Sequence, residues 1–332
     1  MNRRQFLFAA AAAAPLAAAE RTQMGVATTC YLSFRRPRDT YEFLEHCHSN
    51  GAGGIQASLS STDPAFLKKL RARLEQTGMY IEVMSGLPRG DAAAFEQTVV
   101  AAKEVNALCL RAACLGGRRY ETFKTMEEWK KFVADSKSAI ERALPIVARH
   151  KMRLALENHK DWTLDEMVPL IRGASSEYLG VCLDTGNNIS LLDDPMAMTE
   201  ALAPYAFSTH IKDMGVEPYE DGFLLSEVPF GEGYLDIKKI MDIIRRVQPA
   251  TRMTLEMITR NPLKIPCLTP GYWATFPERS GRHLAHTLST VRQKAARQPL
   301  PRVDHLDKEA QLRLEEDNVR QCLAYSRTNL GV

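Results

Sequence analysis

Four residues that could share one chemical task recur through the second half of the chain. Glu157 closes the apolar run Leu154-Ala155-Leu156, and Asp184 closes Val181-Cys182-Leu183. His210 stands near the end of Phe207-Ser208-Thr209, and Glu256 follows Met253-Thr254-Leu255. The separations are 27, 26 and 46 residues. A single acid after an apolar run is more often a helix cap or an ion-pair partner, and Asp184 before Thr185-Gly186-Asn187 could simply hold a turn. Four such groups at successive strand ends read instead as ligands for one ion. Three carboxylates and an imidazole form an oxygen-rich set, which suits Mn²⁺ best and fits Mg²⁺ or Co²⁺; geometry leaves Zn²⁺ open. Three carboxylates around a divalent ion leave a surplus of about one negative charge, which Lys160, Lys212 and Arg260 could offset.

These groups need a scaffold that brings strand ends together. Short runs of strand type alternate with longer stretches of helical period. The strand candidates are 25–30, 54–58, 80–85, 107–112, 152–157, 179–184, 206–212 and 252–257. The helical candidates are 40–49, 64–77, 92–105, 127–149, 164–172, 195–202, 237–247 and 277–294. Eight strands, each followed by a helix, predict an α/β fold with a closed parallel (β/α)₈ barrel. In such a barrel the carboxyl ends of the strands line one mouth. No G-x-G-x-x-G follows the first strand, which counts against a dinucleotide-binding sheet. Segments 213–236 and 260–276 are rich in Gly, Pro and acids and read as long loops over the active face. The barrel domain is expected at 20–300. A C-terminal extension at 301–332, helical over 308–326, would pack outside or at a contact between copies in a homo-oligomer.

At these residues the chain resembles the xylose-isomerase-like TIM barrels of the sugar phosphate isomerase/epimerase superfamily, the abasic-site endonuclease family 2 type. The motifs are LENHK at 156–160, LDTGN at 183–187, HIKD at 210–213, G-E-G-x-x-D at 231–236 and LEM at 255–257. The resemblance implies one divalent metal held by Glu157, Asp184, His210 and Glu256. It also implies that Glu157 and Glu256 are catalytic, passing protons to and from a sugar or polyol ketone through an enediolate. An isomerase or epimerase is the first expectation. A lyase using the same intermediate is the alternative, by keto-inositol dehydration or β-elimination of a 3-keto-glycoside. A binding or storage protein that kept the barrel and lost turnover is a third. Zinc-dependent nucleases of the superfamily place a histidine where this chain has Asn187, so a nucleic-acid substrate is not expected.

Substrate contacts are expected from Lys160 and from Lys212, which shares its strand face with His210. Asn187, Arg111, Arg260 and His159 are further candidates, and Trp273 could stack on a sugar ring. Gly116-Gly117-Arg118-Arg119 looks like a phosphate grip.

Bulk properties bound the rest. The chain has 332 residues, 45% of them hydrophobic, enough for one large domain or two medium ones. A formal charge of +3 with no basic tract gives nucleic-acid binding no support. The seven cysteines include no C-x-x-C pair and give no disulfide framework, although a single bridge formed after export stays open. Residues 1–19 carry Arg3-Arg4, an apolar run to Ala14 and Ala17-Ala18-Ala19. That pattern is a signal peptide of twin-arginine type, too short to span a membrane. Export to the periplasm is therefore expected.

Overall fold

The computed structural model describes residues 21–31 and 37–332. The expected signal segment, 1–19, lies outside the described residues.

Eight parallel strands form one sheet. They are β1 (Gly25–Ala27), β2 (Gly54–Ala57), β3 (Tyr80–Met84), β4 (Leu110–Ala112), β5 (Leu154–Glu157), β6 (Leu179–Asp184), β7 (Ala206–His210) and, later in the chain, β10 (Thr254–Leu255). Their order is β10-β1-β2-β3-β4-β5-β6-β7. A bridge between Ile211 and Leu255 joins the two ends, with Ile211 N donating to Thr254 O at 2.7 Å and Glu256 N to Ile211 O at 3.0 Å. The sheet is thus a (β/α)₈ barrel. Its strands are short, and β2, β5 and β6 are buried throughout, as expected where helices cover the outer face.

The helices begin where the sequence offers caps. Asp39 caps α1 (Thr40–Ser49), and Asp63 caps α2 (Pro64–Thr77), whose first residue is a proline. After α3 (Ala93–Glu104) and the short α4 (Arg119–Thr122), Thr125 and Glu128 form a reciprocal capping box on α5 (Met126–Arg149). Then come α6 (Leu164–Gly173), α7 (Pro195–Leu202) behind Asp194, and α8 (Ile237–Val247) behind Asp236.

Two segments differ from the expectation. Residues 213–236 contain a hairpin, β8 (Asp213–Tyr219) and β9 (Gly222–Val228), rather than irregular loop. With β11 (Leu263–Ile265), from the other expected loop, it makes a three-stranded antiparallel sheet. Phe223, Leu225, Leu263 and Ile265 bury their side chains in a second apolar cluster with Tyr272, Phe276 and Val291. Val291 belongs to α9 (Gly281–Lys294), which packs chiefly on this small sheet.

The second difference is the tail. The helix α10 (Lys308–Tyr325) sends Val319, Cys322 and Leu323, all fully buried, into the main barrel core. Its Glu316 accepts from Asn50 at 2.8 Å and pairs with His46 at 3.0 Å, next to α1. Arg245 of α8 donates to Leu330 O at 3.2 Å. The tail therefore fills the place of the eighth barrel helix, between α8 and α1. All seven cysteines are buried and unpaired.

Candidate metal centre

Side chains alternate along a strand, so a residue and its second neighbour share a face. That rule stacks the barrel interior in layers. At the amino end the Tyr80 ring closes the floor, and its hydroxyl donates to Met253 O at 2.9 Å. The ring fits because Gly25 and Gly54 lie beneath it; a Cβ at either would stand 2.2–2.4 Å from a Tyr80 atom. Above lies a layer with Gln56, Glu82 and Ser208. Nearer the carboxyl ends of the strands come Glu157, Asp184, His210, two residues beyond Ser208, and Glu256.

These four converge. One donor atom from each lies within 4.8 Å of the other three, and all four residues are buried. His210 Nδ1 is 3.3 Å from Glu157 Oε1, 3.4 Å from Glu256 Oε1 and 3.6 Å from Asp184 Oδ2. It has no hydrogen-bond partner among the described residues. The other ring nitrogen, Nε2, is 2.6 Å from Gln56 Oε1. An amide oxygen only accepts, so Nε2 carries a proton and Nδ1 is the nitrogen turned toward the carboxylates, where a proton or a metal ion can sit. Gln56 is held in turn by Glu82 Oε2 at 2.9 Å, which also accepts from Ser208 at 2.6 Å.

Such a donor set fits a divalent ion. Mg²⁺ and Zn²⁺ hold oxygen or nitrogen at about 2.0–2.2 Å, so donors across the ion stand roughly 4 Å apart. The electrostatics fit as well. Burial lowers the affinity of His210 for a proton, but Cys182, Glu256 and Asp184 raise it, to a pKa of about 10. The place between the carboxylates thus favours positive charge, and a metal ion would compete with a proton for Nδ1. Burial opposes the ionised forms of Asp184 and Glu256. For Asp184 the Lys212 ammonium outweighs it, and for Glu256 His210 and Lys212 do, so both carboxyls lie below their usual range.

The other expected site residues surround this centre. Arg111 is ion-paired with Glu157 Oε2. Lys212 is ion-paired with Glu256 Oε2 and lies 2.9 Å from Asp184 Oδ2. Asn187 donates to Glu157 Oε1 at 3.0 Å, and its own oxygen accepts from Lys160 and, at 3.4 Å, from Lys212. His159 is half-buried. Burial and the nearby Lys160 and Arg111 hold its imidazole well below the usual range, so it is neutral. Arg260 is ion-paired with none of the four ligands; it makes two bonds to Glu227, at 2.6 and 3.2 Å. Trp273 packs the loop: its indole donates to Cys267 O at 2.9 Å, and its ring sits edge-on to Tyr272 and Phe276.

The phosphate grip is corrected. Arg118 is paired with Glu121, and Arg119 is buried between the rings of Trp129 and Phe276 while bonding Glu166 and Thr275. Arg119 is thus committed to the protein interior, and Arg118 to a surface ion pair.

Several site residues escape a search for strand-end acids. Thr29 donates to Glu256 Oε1 at 2.9 Å. Glu227, on β9, reaches within 3.8 Å of Lys212. Asp213 is structural: both its oxygens accept backbone N–H groups, from Gly231 and Gly233 at 3.0 Å, Leu235 at 3.2 Å and Met214 at 2.8 Å. That bonding explains the G-E-G motif. Gly231 has φ +86°, and a Cβ on Gly233 would lie 2.0 Å from Asp213 Oδ1.

Comparison with known proteins agrees with this architecture. The family described as xylose isomerase-like TIM barrel matches residues 44–278. The 3-oxo-isoapionate decarboxylase of Pectobacterium atrosepticum is 26% identical over 208 residues, which is 61% of this chain and 71% of that protein. The structure of a D-psicose 3-epimerase in the presence of D-fructose superposes with a TM-score of 0.61 at 15% identity, over 94% of this chain and 100% of that one. A xylose isomerase-like TIM barrel protein from Mycobacterium smegmatis in complex with magnesium gives 0.53 at 14% identity, over 80% and 97%.

Proposed function

The chain belongs to the xylose isomerase-like TIM barrel family, and we propose that it is a divalent-metal-dependent isomerase or epimerase acting on a sugar or polyol ketone. The observation that carries this is the placement of two buried carboxylates, Glu157 and Glu256, at 3.3 and 3.4 Å from one unpartnered imidazole nitrogen. Glu157, Asp184, His210 and Glu256 would hold the ion, and Mn²⁺ is our first choice from the donor chemistry. When bound, such an ion supplies Lewis acidity, which makes the proton on the carbon between a carbonyl and a hydroxyl easier to remove.

The remaining work falls to the protein. Strands β5 and β10 are three steps apart around the barrel, so Glu157 and Glu256 approach a ligand from different sides. One takes the proton from one face and the other returns one, with an enediolate of the substrate between the two steps. Arg111 and Asn187 fix Glu157, while Thr29 and Lys212 fix Glu256. The overlying sheet of β8, β9 and β11 would limit the access of water.

A lyase is the second reading, and one observation favours it. The relative in Pectobacterium atrosepticum is a decarboxylase. Loss of carbon dioxide beside a ketone leaves the same kind of carbanion, so the two reactions could share these ligands.

Proton NMR in D₂O separates the readings. The Mn²⁺-loaded protein is incubated with a panel of ketoses, keto-inositols and keto acids. Deuterium entering beside the carbonyl with no group lost supports the isomerase or epimerase; loss of carbon dioxide, water or an aglycone supports the lyase. Glu157→Gln should abolish the exchange while ligand still binds, and an unchanged rate would remove Glu157 from proton transfer. We also propose export by the twin-arginine route. Replacing Arg3 and Arg4 by Lys should keep the protein in the cytoplasm, and unaltered export would reject that route.

A further inference from the structure

The charges around the metal centre do not close on themselves. Four carboxylates face the mouth: Glu157, Asp184, Glu256 and Glu227. Four cations face them: Arg111, Lys160, Lys212 and Arg260. Three of the cations have carboxylate partners. Arg111 is paired with Glu157, Lys212 with Asp184 and Glu256, and Arg260 with Glu227. Lys160 has none among the described residues. Its ammonium, on a residue only 5% exposed, bonds the neutral amide oxygen of Asn187. Glu227, the remaining acid of the mouth outside the metal set, already takes both its bonds from Arg260.

With His210 neutral, as it would be once an ion displaced its proton, these eight protein charges cancel. A divalent cation at the four ligands, the reading on which this inference rests, would leave a surplus of positive charge in a buried site, up to about two charges with Lys160 protonated. An uncompensated buried charge is costly, so the compensating anion has to arrive with the ligand.

We propose that the substrate is a keto acid, a sugar-derived ketone bearing a carboxylate, and that Lys160 is the group that receives this carboxylate. Asn187 sets the ammonium in place, since its amide touches Lys160 on one side and Glu157 on the other. A neutral ketose would leave Lys160 without a counter-charge. Burial and the like charges of Lys212 and Arg260 bring Lys160 down to about 7 against the pull of Glu227 and Asp184, so a carboxylate bound beside it would favour its charged form.

The test compares two small ligands that differ only in the charged group. Hydroxypyruvate carries a carboxylate where dihydroxyacetone carries a hydroxymethyl. Both are titrated calorimetrically into the full chain loaded with Mn²⁺, whose metal content is measured first. The wild type should bind hydroxypyruvate at least about tenfold more tightly. Lys160→Met should remove most of that preference, and Lys160→Arg, which keeps the charge, should restore much of it. Equal affinity for the two compounds, no binding of hydroxypyruvate, or a preference unchanged in Lys160→Met would each overturn the inference. Failure of the metal centre itself would show separately, as wild-type protein that takes up no Mn²⁺ before either ligand is added.

Discussion

His210 Nε2 lies 2.6 Å from Gln56 Oε1, and this one contact decides which ring nitrogen faces the three carboxylates. Gln56 takes its own orientation from Glu82 and Ser208 in the layer below. Gln56→Leu removes the acceptor and frees the imidazole to change tautomer or turn. Metal affinity should fall by about 10–100-fold, the usual effect of losing such a support. Chelator competition with Mn²⁺ measures it, and an unchanged affinity would show that Gln56 does not orient the ligand.

Gly233 is fixed by the Asp213 carboxylate. Gly233→Ala places a methyl group 2.0 Å from Asp213 Oδ1 and 2.7 Å from Met214 N. The segment that follows β9 must shift and lose bonds, which should cost about 1–3 kcal/mol. Urea unfolding should show a lower midpoint at unchanged slope. A variant as stable as the wild type would mean that the segment yields without strain.

Asp161 should impose a pH dependence on stability. Its carboxyl is buried, and burial raises its pKa from 3.8 to about 7 although the Trp162 and Leu115 amides and Arg119 pull it down. Between about pH 4 and about pH 7 the folded chain keeps a proton that the unfolded chain has released, so this group's contribution to stability falls as pH rises through that window. Asp161→Asn cannot ionise. Its stability relative to wild type should therefore improve from the lower end of the window to the upper, whatever its constant offset from the altered hydrogen bonds. A difference that stays flat with pH would show that Asp161 is ionised throughout.

The helix α10 should be indispensable. Val319, Cys322 and Leu323 are fully buried in the barrel core, and Leu330 is 4% exposed. Each such aliphatic side chain is worth about 1.5–3 kcal/mol of burial. Removing residues 301–332 should abolish cooperative thermal unfolding or leave the chain insoluble. A truncated protein with an unchanged melting temperature would mean that the barrel closes without it.

The four strand-end donors could be read from the sequence because each ends or nearly ends a strand candidate, Glu157, Asp184 and His210 one strand–helix unit apart and Glu256 after one unit plus the long loop. The hairpin β8–β9 could not be read so easily. Its strands carry glycine, proline and acids, which locally favour turns, and they form because their apolar face meets α9 and β11. Glu227 was hidden with it. Gln56 and Glu82 are single polar residues inside apolar strands, and only closure of the barrel shows that both point inward. The tail is mostly polar, and the groove that gives its buried face meaning is built by α1 and α8, far away in the chain.

The most direct measurement is metal stoichiometry. Purified protein is dialysed against excess Mn²⁺ and then against metal-free buffer, and metal per chain is determined for wild type and for His210→Ala, with circular dichroism confirming that the variant is folded. One ion per wild-type chain and none in a folded His210→Ala is the expected result. A wild type that retains no divalent ion, or a variant that retains as much, would contradict a metal centre at Glu157, Asp184, His210 and Glu256.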